Sequence, residues 1–404
     1  MPSPSEGRGV TPSMSYISRA EKIQSLFPDM KAFRLKQVET ALFDVSVRSW
    51  ADVSTLPKDM REKLEADVPF ISLTTQLIQN DSKKETFKAI VKVEGDKYIE
   101  TVLMKNRREQ WTICVSTQIG CAMACSFCAT GKMGLTRNLD TDEIVDQIRL
   151  WKYFLKDHPE ITKSEGSSKP APKQQDAFEL DDEEEEDSAQ TETPRVVDHG
   201  RISNIVYMGM GEPLANYENT KASLNTIIAQ TDIGLTHITV STVGILPRLE
   251  QILTDAEWPH VRMAVSLHSA DTKVRKEIVK TSYDEFLPKL DEWTRKYLKK
   301  FGNRRHHLTF EYVMLKGVND SLPAAKQLAV FVNRIGKIRV NLIPFNFTES
   351  GYTSSEAETI EAFGHVLEKN GVTYTIRYSK GSEIDAACGQ LIKNESANLE
   401  EKLP

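Results

Sequence analysis

The sequence predicts an α/β fold, a partial (β/α) barrel with a small helical domain at its N-terminus. From Trp111 onward, short apolar runs alternate with longer amphipathic stretches, which indicates successive strands and helices. The apolar runs are continuous, as expected for parallel strands that are buried on both faces. A cluster of cysteines follows the first of these strands, where the loops of such barrels carry functional groups.

Before the barrel, the chain is predicted to contain a tail, a helical domain and a hairpin. Residues 1–16 are polar and predict a disordered tail, and residues 17–85 are assigned to a helical accessory domain whose apolar faces suit ordinary packing. From Thr86 apolar and polar residues alternate on both sides of a turn at residues 94–97, which is typical of a β-hairpin. This hairpin begins a catalytic domain predicted to span residues 86–391.

The barrel itself is predicted from its apolar runs and from the helical periodicity between them. Strands are expected at residues 111–116, 202–208, 237–241, 261–267, 308–315, 338–343 and 373–378. Helices are expected at residues 142–156, 220–229, 247–254, 286–301, 322–335 and 357–369, the first of them capped by Asp140 or Thr141.

One segment interrupts this alternation. Residues 157–201 contain almost no apolar side chains and ten acidic residues between Asp176 and Glu192, which predicts a disordered acidic insertion. A solvated loop is the first interpretation, and a regulatory or partner-docking segment is the alternative. The net charge of the chain is −6, and without these acidic residues it is +4, which is compatible with a nucleic-acid partner. Residues 392–404 are expected to form a second tail.

Composition excludes several classes of protein. No run of about 18 apolar residues occurs, so we expect no transmembrane helix and no membrane partner. The N-terminus lacks the apolar run of a secretory signal, so a cytoplasmic location is expected, with organelle targeting left open. Five cysteines in 404 residues are too few for a disulfide scaffold. We expect the protein to be a monomer.

The cysteines carry the strongest chemical signal. Cys121, Cys125 and Cys128 form a CxxxCxxC triplet, which suits a [4Fe–4S] cluster held at three irons with the fourth iron open. An open iron that chelates the amino and carboxylate groups of S-adenosylmethionine (SAM) is typical of radical-SAM chemistry. A structural zinc site needs a fourth ligand, and no histidine lies near the triplet. Buried thiols and an incomplete zinc knuckle are the alternatives.

Candidate SAM contacts follow the predicted strands. The segment Gly209-Met-Gly-Glu-Pro213 comes directly after one strand, and its Glu212 is placed to accept from the SAM ammonium. Polar residues also end three later strands: Ser241 with Thr242, Ser266-Leu-His268, and Asn346. Each of these residues, taken alone, is ordinary in a turn. All of them, however, are predicted at the carboxyl ends of strands, which places them together around the mouth of the barrel.

These motifs resemble the RlmN/Cfr family of radical-SAM RNA adenosine methyltransferases, and the RlmN type most. The matching segments are Cys114–Cys128, Gly209–Leu214, Val265–His268 and Gly381–Leu391, and the resemblance runs from about Phe33 to Leu391. It implies a radical-SAM partial barrel that methylates C2 of an adenosine in large-subunit rRNA and in some tRNAs. Cfr-type C8 methylation is the alternative outcome. The resemblance also implies an electron-donor protein such as flavodoxin or ferredoxin as a partner, and it gives the helical domain of residues 17–85 the role of docking RNA.

The resemblance also implies roles for individual residues. Adenine C2 is an electron-poor sp² carbon, so direct transfer from the SAM sulfonium is not feasible. In the family one SAM methylates a cysteine, here Cys388, and a second SAM supplies the radical that activates this methyl group. Cys114 matches the resolving thiol, which forms a transient disulfide with Cys388, and Glu100 matches the proton acceptor. The matching SAM contacts are Gly211, Glu212, Ser241, Ser266, Leu267, His268 and Asn346.

The chain departs from the family at one site segment. After Asn346 it reads Phe-Thr-Glu-Ser-Gly-Tyr, where bacterial members have a proline-rich stretch. Candidate RNA-binding cations are Lys105, Arg107, Arg108, Lys132, Arg137, Arg304 and Arg305. The competing hypothesis from another class is a zinc-stabilised RNA-binding module without catalysis. A radical-SAM enzyme that acts on a small molecule or a protein gives no reason for the Cys114 and Cys388 pair.

Overall fold

The computed structural model describes residues 18–106, 109–162 and 200–391. The two predicted tails, nearly all of the acidic insertion, Arg107 and Arg108 lie outside the described residues, as does the side chain of Arg305. Within the described ranges, no helix has the length and apolar content needed to cross a membrane.

The chain divides into two compact units after Phe70. The first contains three helices: α1 (Arg19–Leu26), α2 (Ala32–Phe43) and α3 (Lys58–Asp67). Its core forms around Trp50, which is fully buried and donates its indole N–H to the carbonyl of Val68 at 2.6 Å. The predicted helical domain extended to residue 85, and this boundary is corrected because the segment that follows Phe70 enters the sheet of the second unit.

The second unit is built on a ten-stranded sheet and a two-stranded ribbon. In chain order the strands are β1 (Thr74–Asn80), β2 (Thr86–Val93), β3 (Lys97–Lys105), β4 (Trp111–Cys114), β5 (Gln118–Gly120), β6 (Leu135–Asn138), β7 (Ile202–Tyr207), β8 (Ile238–Thr242), β9 (Arg262–Ser266), β10 (Leu308–Met314), β11 (Arg339–Pro344) and β12 (Tyr374–Ile376). The helices are α4 (Ala129–Lys132), α5 (Thr141–Asp157), α6 (Tyr217–Gln230), α7 (Leu246–Thr254), α8 (Thr272–Ile278), α9 (Phe286–Phe301), α10 (Leu322–Ile335) and α11 (Ala357–Lys369).

The sheet order confirms an open, partial barrel. From β4 through β7 to β12 each strand pairs in parallel with the next, and β1 to β3 extend the β4 edge in antiparallel fashion. The sheet ends at β1 and β12, so it does not close on itself. Because the parallel strands run in one direction, their carboxyl ends meet at one edge, and the loops after them surround the site.

Local sequence explains why the helices begin where they do. At the start of α5, the Asp140 carboxylate accepts a hydrogen bond from the backbone N–H of Glu143 at 2.8 Å. The Glu143 carboxylate in turn accepts one from the backbone N–H of Asp140 at 3.1 Å. This capping box satisfies amide groups that the first helical turn leaves unpaired. It confirms Asp140 as the cap. The helix then buries Ile144, Ile148 and Trp151 against the sheet.

Strands β1, β5 and β6 and helices α4 and α8 were not predicted. Strand β1 has the sequence TTQLIQN and lies at the sheet edge with most of its side chains exposed or half-buried, so it lacks an apolar run. The β5 and β6 ribbon is three and four residues long. Helix α8 has seven residues and buries Arg275 and Ile278, which gives too short a pattern for a periodicity argument.

Candidate active site

A cavity of about 1220 Å³, including its open mouth, lies at the carboxyl ends of the parallel strands. Most of the predicted site residues form its wall: Cys121, Cys125, Cys128, Gly211, Glu212, Ser241, Ser266, His268, Asn346 and Cys388. Three predicted site residues do not lie on this wall. Leu267 is fully buried, Glu100 lies in β3, and Cys114 lines a smaller cavity.

The cysteine loop is fixed by contacts with distant parts of the chain. Ser126 donates its backbone N–H to the carbonyl of Ile278 at 2.9 Å, and its hydroxyl lies 2.9 Å from that of Tyr352. The hydroxyl of Thr348 donates to the carbonyl of Phe127 at 3.1 Å. These bonds hold the loop against a small apolar cluster that includes Ile278, Val313 and Phe345. These contacts therefore fix the backbone that carries the three thiols.

The three thiols of this loop suit an iron–sulfur cluster. Within the described residues, no group of three histidine, cysteine or carboxylate side chains converges closely enough for a single metal ion. A cubane differs from a single ion because each thiolate binds a different iron, so the sulfurs surround a space. A Cβ on Gly131 would meet the backbone of Cys125 at 3.0 Å, so the next helix packs tightly against the loop. Burial raises the pKa of Cys121 to about 12, and a bound cation favours the thiolate.

The glycines of the 209–213 segment allow close packing of two loops. A Cβ on Gly209 would lie 2.6 Å from the hydroxyl oxygen of Ser116. Gly211 has a φ of +101°, and its Cβ would lie 2.5 Å from the Cβ of Gln118. The close approach of both glycines is to residues 115–118, which follow β4. Both glycines nevertheless line the cavity.

Glu212 presents a buried carboxylate to the cavity. One of its oxygens accepts from the backbone N–H of Leu214 at 3.0 Å and from the hydroxyl of Thr242 at 2.7 Å. The other accepts from the N–H of Val243 at 2.8 Å. Burial raises the pKa of Glu212, and these hydrogen bonds oppose the shift. A carboxylate offers about four acceptor positions, so one remains for a cationic ligand group such as an ammonium.

His268 is held in its neutral form by its surroundings. Its backbone has a φ of +57°, and Asn319 donates to its carbonyl at 2.8 Å. Its Nδ1 accepts from the N–H of Val313 at 3.1 Å, so a neutral ring carries its proton on Nε2. Burial, with the charge of Arg275, lowers the pKa of His268 to about 3. The ring therefore stays uncharged at neutral pH, where it packs edge-on to Phe127 at 5.0 Å.

Arg275 clamps the ends of two adjacent strands. Its guanidinium donates to the carbonyls of Leu267 at 3.0 Å, Val243 at 2.8 Å and Ser266 at 3.2 Å, and it lies 3.6 Å from the centre of the Phe286 ring. Leu267 itself is fully buried beneath the cavity wall. Burial lowers the pKa of Arg275 to about 9, so it remains charged at pH 7. The sequence analysis did not identify this residue, which lies on the unpredicted α8.

Replacing Arg275 with methionine is expected to destabilise the fold by about 3 kcal/mol, because three buried carbonyls would lose a charged donor. The adjacent Lys276 is the matched control, since it makes a solvent-exposed ion pair with Asp284. Lys276→Met should cost less than about 1 kcal/mol. Urea unfolding of the metal-free proteins measures both changes. Equal losses in the two variants would contradict the assigned role of Arg275.

The segment that carries Cys388 is fastened beside the cysteine loop. Asn346 donates its amide to the carbonyl of Cys388 at 3.0 Å and to the hydroxyl of Ser379 at 2.9 Å. The N–H of Ala129, one residue after Cys128, donates to the carbonyl of Gly389 at 2.8 Å. Asn346 was predicted as a SAM contact, and here its amide supports the Cys388 segment while it lines the same cavity.

Cys114 and Cys388 share a second, smaller cavity. Both line it together with Met104, Met208 and Ala387, and Cys388 lines the main cavity as well. All five cysteines are free thiols in this structure. Burial raises the pKa of Cys388 to about 11 and that of Cys114 further still. The structure therefore brings together two residues that lie 274 positions apart in the chain.

Glu100 is buried in β3 and forms an ion pair. Its carboxylate lies 3.3 Å from the ammonium of Lys88 on β2, and both side chains are nearly inaccessible to solvent. Lys88 also reaches the carbonyl of Asp385 at 3.4 Å, three residues before Cys388. Lys88 therefore links Glu100 to the segment that carries Cys388. Lys88 could have been noticed from sequence, because it occupies a position within an apolar strand.

A different buried ion pair, which was not predicted, lines the main cavity. Glu311 on β10 lies 3.3 Å from Arg377, and its other oxygen accepts from the amide of Asn341 at 2.6 Å. The charge of Arg377 partly offsets the effect of burial on the pKa of Cys388. Glu311 could have been noticed in the same way as Lys88, because it is a charged residue within the apolar strand β10. Arg377 follows its strand and gives no pattern.

The predicted basic residues have different surroundings. Arg137 makes two contacts of 2.7 Å with the carboxylate of Glu143, so its charge is already paired. Arg304 lies just before β10, at the opposite end of that strand from the site, so its predicted position at the mouth was wrong. Lys132 ends α4, directly after the cysteine loop, and its ammonium bonds to the carbonyl of Glu349.

Comparison with known proteins agrees with this geometry. The model of the radical SAM superfamily matches residues 182–328. The "Probable dual-specificity RNA methyltransferase RlmN" of Bacillus pumilus is 36% identical over 91% of this chain and 89% of its own length. That of Streptococcus suis is 34% identical over 97% of this chain and 95% of its own. The chain therefore belongs to the RlmN family of radical-SAM RNA methyltransferases.

A solved structure extends the comparison to the fold. A radical SAM methyltransferase from Sphaerobacter thermophilus superposes with a TM-score of 0.76 at 32% identity, covering 93% of this chain and 97% of that one. This agreement confirms the predicted radical-SAM partial barrel. Family membership implies SAM and an iron–sulfur cluster as cofactors and RNA as the substrate, in keeping with the donor set of the cysteine loop.

Proposed function

We propose that this RlmN-family protein methylates C2 of an adenosine in large-subunit rRNA, with tRNA as a second substrate, by way of a methyl group carried on Cys388. The observation that carries this proposal is the position of Cys388. It lines both the cavity bounded by the cluster cysteines and the small cavity that contains Cys114. A relay cysteine must reach the cofactor on one side and a resolving thiol on the other.

The cluster would be held by Cys121, Cys125 and Cys128, and SAM would lie against Glu212, Ser241, Ser266 and His268. Together with SAM, the cluster supplies one-electron chemistry that makes an unreactive methyl C–H bond available. Glu212 has an acceptor position left for the SAM ammonium, and neutral His268 offers a hydrogen-bond donor without adding a positive charge next to the sulfonium. The Gly211 backbone and the Asn346 amide complete this side of the cavity.

The protein residues then divide the transfer into steps. Cys388 loses its thiol proton and takes the methyl group of one SAM, forming an S–CH₃ bond as the sulfonium C–S bond breaks. The methyl group on Cys388 gives one hydrogen atom to the radical that a second SAM would supply, and its carbon then bonds to adenine C2. Glu100 removes the proton from C2, and one electron leaves the adduct for the cluster, which would accept it. The Cys114 thiolate attacks the sulfur of Cys388, so the S–C bond to the base breaks as the disulfide forms, and the released carbon takes up a proton to complete the new methyl group. External electrons, from a flavodoxin- or ferredoxin-type donor, restore both thiols.

The test is the methylated nucleoside. RNA incubated with anaerobically reconstituted protein, SAM and a reductant should yield 2-methyladenosine on digestion and mass spectrometry. Ribosomal RNA fragments and tRNA are assayed separately, because the two substrates are parts of the proposal. A product that is 8-methyladenosine would contradict the proposed position. A colourless protein that binds zinc and consumes no SAM would contradict catalysis altogether.

A further inference from the structure

A large aromatic side chain at the rim of the cavity is left in solvent. Phe347 follows the cavity residue Asn346, and it is 74% exposed. The residues on either side of this pair are buried: 7% of Phe345 and 6% of Thr348 is exposed. Exposure of a single apolar residue is ordinary in a folded protein. What sets Phe347 apart is the number of bonds that fix the backbone beneath its ring.

The backbone around Phe347 is tied to both halves of the site. Gln390, two residues beyond Cys388, donates its amide to the carbonyl of Phe347 at 2.9 Å. The Asn346 amide bonds to the carbonyl of Cys388 from the other side. One residue later, Thr348 bonds to the cysteine loop. The backbone that carries the exposed ring is therefore held against the Cys388 segment and the cysteine loop, so little backbone conformational entropy is lost when a partner covers the ring.

We propose that Phe347 is a stacking platform for an RNA base that neighbours the target adenosine. This inference rests on the proposed function and deepens it. The target adenine must leave its stack to reach Cys388 in the cavity, which deprives its neighbours of a stacking partner. An exposed aromatic ring at the rim replaces that partner, as aromatic side chains do for unstacked RNA bases.

Charge at the same place favours RNA over an apolar protein partner. The ammonium of Lys132 bonds to the carbonyl of Glu349, two residues beyond Phe347. This contact holds a cation against the backbone two residues along the chain from the exposed ring, within the segment that an RNA strand stacked on Phe347 would cross. Single-stranded RNA sites combine exposed aromatic side chains with basic residues in this way.

Binding of a short RNA hairpin with an unpaired adenosine in its loop tests the proposal. Phe347→Ala should weaken binding by about 5- to 150-fold, the range for loss of one stacked base. Phe347→Trp should bind as tightly as the wild type, and Phe347→Leu should bind as weakly as the alanine variant. Val330→Ala is the matched control, because Val330 is 70% exposed on α10. It should change binding by less than twofold.

A second measurement separates stacking from a structural defect. Each nucleotide beside the target adenosine is replaced in turn by an abasic one. Wild-type binding should weaken at one of these positions, and the Phe347→Ala variant should be insensitive there. Methylation of Cys388 by SAM without RNA, read from the intact protein mass, should be the same in both proteins.

Two outcomes overturn the inference in different ways. If the wild-type protein methylates the RNA and Phe347→Ala binds it within twofold of wild type, the stacking role fails while the proposed function stands. If the wild-type protein neither binds nor methylates RNA, the proposed function fails and the stacking role fails with it.

Discussion

Cys388→Ala should abolish RNA methylation, with a loss of roughly 10⁴-fold or more, as when a covalent nucleophile is removed. The reason is that the methyl carrier disappears, and adenine C2 has no other route to a methyl group. The segment should keep its position, since it is fastened through the carbonyls of Cys388 and Gly389 and not through the thiol. Reductive cleavage of SAM should therefore continue, which is measured as deoxyadenosine by liquid chromatography.

The control for this variant is Ser382→Ala, an exposed residue of the same segment. It should retain methylation within about twofold, because surface substitutions of this kind have small effects. Intact mass spectrometry should show a methyl group on the Ser382→Ala protein after incubation with SAM and none on the Cys388→Ala protein. Undiminished RNA methylation by Cys388→Ala would remove the relay from the account.

Cys114→Ala should convert the enzyme into a covalent trap for its substrate. Without the resolving thiol, the thioether between Cys388 and the adenine carbon has no partner that breaks it, because Cys114 is the other cysteine that lines the small cavity. Multiple turnover should fall by at least about 10³-fold. A protein band that shifts on a denaturing gel and returns to its normal position after treatment with RNase measures the adduct.

The double variant Cys114→Ala with Cys388→Ala is the control for the trap, and it should form no adduct. Because Cys114 is buried at 5% exposure, its loss also costs packing, so the folded fraction of each variant is measured by circular dichroism. Rapid turnover by a folded Cys114→Ala protein would show that another group resolves the thioether.

The barrel was predictable because its pattern is local. Helices α9, α10 and α11 begin and end at the predicted residues, since each carries an uninterrupted amphipathic period. The continuous apolar runs likewise predicted a parallel sheet, and the CxxxCxxC spacing identified the cysteine loop. Elements with three to seven residues, such as β5 and α8, carry too few positions for either period to show.

The long-range supports of the site were not predictable, because they depend on which loops the fold brings together. The pairing of Lys88 with Asp385 spans 297 residues, and that of Thr130 with Leu391 spans 261. Arg275 satisfies three backbone carbonyls, and a carbonyl leaves no signature in the sequence. The roles of Cys114 and Cys388 were implied by the family resemblance. That the two residues line one cavity is seen only in the structure.

The most direct test of the relay is the nucleoside assay repeated with SAM that carries a trideuterated methyl group. If the methyl group rests on Cys388 and loses one hydrogen there before transfer, the 2-methyladenosine should retain two of the three deuterium atoms. The missing deuterium should appear in deoxyadenosine. A product methyl group that keeps all three deuterium atoms would mean direct transfer from SAM, which contradicts the role proposed for Cys388.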